Sequence, residues 1–271
     1  MSLFNFQIPT IANYEVEYYF SEVPDEYPAR VFPFHLHDQL EIYILLEGDV
    51  SFAVESSLYK LSAGDAIISK PNEMHNCILN SKSVHKHACF WFDPSNAFLF
   101  DAFLGHEFGK SNHIIPDAKA KKELFAVLND LRVASEAGEM HKQLYLTLQM
   151  LDVYRRFTLS AVEPQVLPRV LTEILADIDE NFKTIRSTQY FTSKYYISQS
   201  TLNRLFRTHL HTSPKRYIET KRLAYSRVLL NQGKTVLGAC MESGFSDYSN
   251  YIRLFKSRFS MTPGQYQSQK L

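Results

Sequence analysis

The chain has 271 residues, of which 45% are hydrophobic and 14% aromatic, a globular composition with room for two domains and their cores. Its formal charge of zero averages two unlike parts: from Pro168 onward 16 Lys and Arg stand against 7 Asp and Glu, a net of +9, and the remainder holds 13 against 22, a net of −9. That split suits a polyanion-binding domain joined to something else, while three cysteines without metal-type spacing and the lack of any long apolar run predict reduced thiols, a cytoplasmic location and no membrane partner.

Residues 1–30 are rich in aromatics and acids and include Pro9, Pro24 and Pro28, which predicts an irregular arm with one short strand. From residue 31 to 93 the pattern is β. Short apolar runs, at 41–46 and 66–68, are broken by Gly48-Asp49 and Gly64-Asp65, as in antiparallel strands joined by turns. Several such strands with no long helix between them predict a small barrel or jelly roll. Within it lie His35, His37 and Glu41, and then Gly64-Asp65 leading to Pro71, Glu73 and His75. This two-part pattern resembles that of the cupin superfamily, whose fold is a double-stranded β-helix barrel. The resemblance implies that His35, His37, Glu41 and His75 are the set with which metal-binding cupins hold a divalent Fe, Mn, Ni or Zn. It equally covers sensor domains that keep the motif as a scaffold without metal, and no bound cofactor is expected here.

Strand alternation places His35, His37, Glu41 and Tyr43 on one face, with His87, Cys89 and Trp91 of the run 85–92 also turned inward. A lining of His, Tyr, Trp and Glu suits a sugar or another polyhydroxylated ligand, and aromatics also fill small barrels as plain core. The candidate ligand-binding residues are therefore His35, His37, Glu41, Tyr43, His75, His87 and Trp91. Two helical patterns follow. Residues 118–136 align Leu124, Val127, Leu128 and Leu131, and residues 141–159 align Leu144, Leu148, Leu151 and Tyr154. Such stripes pack on their own domain or pair with a second copy, so a homodimer is expected. Pro164 and Pro168 mark residues 161–168 as a linker between a domain of residues 1–160 and one of residues 169–271.

The basic part opens with a helix over 168–181 carrying Val170, Ile174, Leu175 and Ile178, followed by a weaker helical segment at 189–195. A pattern then occurs twice at an offset of 49 residues: Arg204-Leu205-Phe206-Arg207 aligns on Arg253-Leu254-Phe255-Lys256, and Ser213-Pro214 on Thr262-Pro263. Each copy begins with a helix N-cap, Ser198 or Asp247, and ends where proline starts the next helix. Leu202, Leu205 and Phe206 face inward in the first copy, and Tyr251, Leu254 and Phe255 in the second. Outward lie Ser200, Asn203, Arg204 and Arg207, then Ser249, Asn250, Arg253 and Lys256. One such face is an ordinary solvated helix surface, but its repetition in a basic region suits two major-groove readers of double-stranded DNA. A long helix over 215–230 bridges the copies, a short one over 236–242 precedes the second, and together they make two helix-turn-helix units.

At this point the chain resembles the AraC/XylS family of bacterial transcription regulators over about residues 168–266. The resemblance rests on Ser198-x-x-x-Leu202-x-Arg204-Leu205-Phe206, Ser213-Pro214-x-x-Tyr217-Ile218, Gly244-Phe245-Ser246-Asp247 and Thr262-Pro263-x-x-Tyr266. His211 and Ser260 stand where the family usually has Gly. The resemblance implies two domains: an N-terminal all-β cupin-like barrel with two helices, and a C-terminal all-α domain with two helix-turn-helix units. It assigns base reading to Ser200, Asn203, Arg204, Ser249, Asn250 and Arg253; Ile252, aligned with Asn203, can touch a thymine methyl instead of hydrogen-bonding. The implied function is ligand-responsive transcription regulation without enzymatic activity, with a small effector such as a carbohydrate. The alternative is a cupin metalloenzyme with an appended helical domain.

Overall fold

The computed structural model describes residues 6–11, 14–23, 35–37, 39–81, 84–93, 101–105, 107–157 and 167–268, the first two segments and residues 101–102 as backbone. The chain divides into two compact units, residues 1–166 and 167–271; most of the expected linker, 161–166, lies outside the described residues.

Among the described residues the first unit holds nine strands: β1 (Phe6–Ile11), β2 (Tyr14–Val23), β3 (Leu40–Glu47), β4 (Val50–Val54), β5 (Ser57–Lys60), β6 (Ala66–Ser69), β7 (His75–Leu79), β8 (His85–Phe92) and β9 (His113–Ile114). The alternation of acids with apolar residues along 14–23 makes a strand of ten residues that pairs with β1 and β8. The arm expected to hold one short strand therefore holds two. A second correction concerns closure. The strands form a six-stranded antiparallel sheet, β1-β2-β8-β3-β6-β9, and a three-stranded one, β5-β4-β7, rather than a closed barrel. Among the described residues only the bridge between His35 and His75 supplements these ladders outside the named strands.

The larger sheet is covered on both faces, which is why β3 reads as a nearly continuous apolar run. Even-numbered residues Leu40, Ile42, Ile44, Ala88, Phe90 and Phe92 pack with the helices α2 (Ala118–Glu136) and α3 (Met140–Arg155), which follow the short α1 (Asp101–Leu104). Odd-numbered Tyr43, Leu45, Ile67 and Cys89 pack instead with Val50, Phe52, Val54, Tyr59 and Cys77 of the smaller sheet. Asp117 caps α2 by accepting from the Ala120 amide at 2.8 Å. Leu124, Val127, Leu128 and Leu131 are buried beneath it, contributing about 1.5–3 kcal/mol each. The hydroxyl of Tyr154 on α3 donates to the Gly64 carbonyl at 3.2 Å, fastening the helix to a turn of the sheet layer.

The second unit is all helix: α4 (Arg169–Asn181), α5 (Gln189–Lys194), α6 (Gln199–Leu210), α7 (Pro214–Asn231), α8 (Val236–Glu242), α9 (Tyr248–Phe259) and α10 (Pro263–Ser268). Leu171, Ile174, Leu175, Ile178, Phe191, Leu202 and Phe206 are buried in its first half. Leu223, Leu229 and Leu230 of α7 join Cys240, Phe245, Tyr251, Phe255 and Tyr266 in the second. Serving both cores is what a bridging helix requires. The cysteines Cys77, Cys89 and Cys240 are buried thiols outside any disulfide, and among the described residues no helix is long and apolar enough to cross a membrane.

Candidate nucleic-acid interface and effector site

The caps that start the repeated helices form as their residue types dictate. Ser198 Oγ accepts from the Thr201 amide at 3.0 Å, and Asp247 Oδ1 from the Asn250 amide at 2.9 Å. With Leu202, Phe206, Tyr251 and Phe255 buried, each helix turns its opposite side to solvent. Ser200, Arg204 and Arg207 on α6 are exposed, as are Ser249, Arg253 and Lys256 on α9; Asn203 and Asn250 are half-buried at the edges. Arg253 donates to Asn250 Oδ1 at 2.7 Å, and Gln199 donates to Asn203 Oδ1 at 3.4 Å. The first of these contacts holds a guanidinium and an amide together, the two groups best suited to base edges. Neither helix contains an acid beyond the Asp247 cap of α9, so the rest of each polar face carries nothing that repels phosphate. Ile252 packs partly against the core of the second unit and is a supporting residue there.

In the first unit the seven ligand candidates separate into two groups. His35, His37, Glu41 and His75 converge, with potential ligand atoms all within 4.8 Å of one another. The backbones of His35 and His75 bond to each other at 2.9 and 2.8 Å. His37 Nε2 lies 2.9 Å and His75 Nε2 3.6 Å from Glu41 Oε2, and Trp91 donates to the same oxygen at 2.6 Å. Burial would push the Glu41 carboxyl up, but His75 and His37 beside it hold it well below the usual carboxylate range. For His75 burial works against the charge, and Glu41 outweighs it, raising the imidazole.

The tautomers follow from the outer contacts. Nδ1 of His75 faces the Glu73 carbonyl at 2.9 Å and Nδ1 of His37 the Gln39 carbonyl at 3.0 Å. A carbonyl only accepts, so each Nδ1 carries a proton and each Nε2 is turned toward Glu41. His75 Nε2 is fully buried and, among the described residues, has no hydrogen-bond partner within 3.5 Å. Imidazoles anchored through Nδ1 and converging on a carboxylate fit a divalent first-row cation, and a proton on His75 serves the same charge balance without one.

Tyr43 and His87 belong to a second, inner group with His85, which the sequence reading passed over. The Tyr43 hydroxyl and His85 Nε2 are 2.6 Å apart, and the rings of His85 and His87 stack at 4.5 Å. Burial lowers His85 to about 4, and burial together with the field of His85 lowers His87 to about 3, so both are neutral at pH 7. The ring of Phe52 links the groups, 4.8 Å from Tyr43 and 6.0 Å from His75. The signal for His85 was present: it continues the inward-facing odd series of 87, 89 and 91.

Comparison with known proteins finds two family models in tandem. Residues 23–155 match an AraC-like ligand binding domain, and residues 192–269 match a helix-turn-helix domain. Among curated relatives, the uncharacterized HTH-type transcriptional regulator YbfI of Bacillus subtilis is 27% identical over 81% of this chain and 81% of its own. The virulence regulon transcriptional activator VirF of Yersinia enterocolitica is 24% identical over 91% and 95%, and the HTH-type transcriptional activator RhaS of Enterobacter is 24% identical over 87% of each. Of solved structures, ToxT from Vibrio cholerae aligns over 94% of this chain and 99% of its own, at 12% identity and a TM-score of 0.39.

Proposed function

The chain belongs to the AraC family of transcriptional regulators, with a ligand-binding domain ahead of a helix-turn-helix domain, and from that premise we propose how it reads DNA and where it senses its effector. α6 and α9 enter successive segments of major groove. Asn203, Arg204, Asn250 and Arg253, with the hydroxyls of Ser200 and Ser249, contact base edges, while Arg207 and Lys256 meet phosphates. The observation that carries this reading is the pair of capped helices, without an internal acid, whose faces expose the same kinds of side chain. A mobility-shift assay tests it. Arg204→Ala and Arg253→Ala each weaken binding to a selected site, and unchanged affinity and sequence preference in both variants would remove the assignment.

The effector site is His35, His37, Glu41, His75 and Trp91, with Tyr43 and His87 behind it. A small polar metabolite, with carbohydrate as the first class to try, binds by giving hydroxyl hydrogen bonds to the Glu41 carboxylate and the imidazole Nε2 atoms and stacking on the indole. A divalent cation held by His35, His37, Glu41 and His75 would supply a Lewis-acidic anchor for a ligand oxygen. Sugars and divalent metals, screened separately by thermal shift against the native chain and Glu41→Gln, tell the two modes apart; no shift from either class would leave the cluster a scaffold. A second copy of this chain is the proposed partner, docked on α2 and α3, where Val133, Tyr145 and Leu148 are exposed; sedimentation of a monomer at micromolar concentration would contradict it. Binding to the genome places the protein in the cytoplasm.

A further inference from the structure

α7 is not the only connection between the two helix-turn-helix units. The loop between α4 and α5, residues 182–188, meets α7 on one side and the turn between α8 and α9 on the other. Arg222 of α7 donates through Nε to the Phe182 carbonyl at 2.8 Å and through Nη2 to the Ile185 carbonyl. Lys221 pairs with Asp179 at 2.6 Å. Tyr225, one turn further on, has the Lys183 ammonium 3.7 Å from its ring centroid and Phe182 against its ring at 5.7 Å. α7 also sends Leu223, Leu229 and Leu230 into the core of the second helix-turn-helix unit, and Tyr225 packs against that core as well.

The turn of the second unit closes the triangle. Gly244 has φ +94°, and a Cβ at that position would stand 2.8 Å from the Lys183 Cα and 2.9 Å from its carbonyl carbon. Both are shorter than any ordinary van der Waals contact, so the backbones at 183 and 244 are packed as closely as glycine allows. A side chain there would have to separate the two units or abandon the left-handed turn.

We propose that this junction, made by Arg222 and Gly244 on the backbone of residues 182–185, fixes the distance and rotation between α6 and α9. It thereby selects one spacing of DNA blocks. The inference rests on the reading of α6 and α9 as the DNA-reading helices, and it makes Arg222 and Gly244 positioning residues that touch no DNA. A single inserted base pair turns the second block by about 35° and moves it by about 3.4 Å along the axis. A rigid pair of helices cannot follow that change, whereas a loosened pair can.

The test uses the full chain and a two-block site that it selects from random duplex DNA, rebuilt with one or two base pairs inserted or removed between the blocks. The native chain loses about tenfold or more in affinity per inserted pair, the size of a lost base contact. Arg222→Gln keeps native affinity for the first block alone, but its penalty for respacing falls to about two- to threefold. Gly244→Ala binds the two-block site no better than the first block alone. Should the glycine variant melt early, Arg222→Gln still decides. An unchanged spacing penalty in Arg222→Gln, or a native chain indifferent to spacing, overturns the junction alone. A chain that selects no DNA overturns this inference together with the reading beneath it.

Discussion

At the scale of single residues, if α6 and α9 read DNA as proposed, their eight polar and basic positions have separable jobs. Arg204, exposed in the middle of α6, is placed to bond a base edge; replacing it by Ala is expected to cost about 1–3 kcal/mol and relax preference at one block position in a competition assay. Lys256, exposed near the end of α9, is placed to meet phosphate. Lys256→Ala should weaken all sequences alike and reduce the salt slope of log K by about 1. The imidazoles of the first unit give a pH prediction. Burial lowers His85 to about 4 and His87 to about 3, below the ordinary value of an unfolded histidine. Between those values and about pH 6.5 the unfolded chain binds protons that the folded chain does not, so stability is full above that range and falls as pH drops through it. Thermal midpoints measured from pH 8 to 4 should show the fall, and His87→Gln should flatten it; a flat native profile would contradict the buried neutral pair. These side chains were legible in the sequence by period alone. What period could not supply was the third dimension: the ring of Phe52 touches both Tyr43 and His75.

At the scale of elements, the helices that carry a side-chain cap were readable almost to the residue, whereas α3, which has none, ends at Arg155 rather than at the expected 159. Asp117, Ser198, Ser213, Thr235 and Asp247 all cap the helices that follow them. Strands lack such local signals, and β1 and β2 were hidden among prolines and aromatics in a segment whose pairing partner, β8, lies far along the sequence. Barrel closure was equally illegible, since it depends on which strand edges meet rather than on any residue type. The departures from glycine at 211 and 260 now have a physical meaning. His211 and Ser260 end α6 and α9 in the left-handed region, with φ of 50° and 58°. A β-carbon is disfavoured there. Ser260→Gly should therefore raise stability by about 0.5–1 kcal/mol, the relief of strain less the added freedom of the unfolded chain. Chemical denaturation would show it, and an unchanged or lower midpoint would mean that the serine is held by contacts outweighing its strain.

At the scale of the whole molecule, charge and repetition carry the argument. The basic excess lies from Pro168 onward, where net charge is +9, and the structure divides there into a first unit and a helical unit. The helical unit has two capped helices without an internal acid, and the first unit has a cluster in which His37 and the buried His75 face the buried Glu41 carboxylate. The central claim is that both helices read DNA together. Selection of bound sequences from random duplex DNA by the full chain tests it most directly. The account predicts a site with two short blocks about one helical turn apart, the first degraded by Arg204→Ala and the second by Arg253→Ala. Enrichment of a single block, or of none by a folded chain, would contradict it.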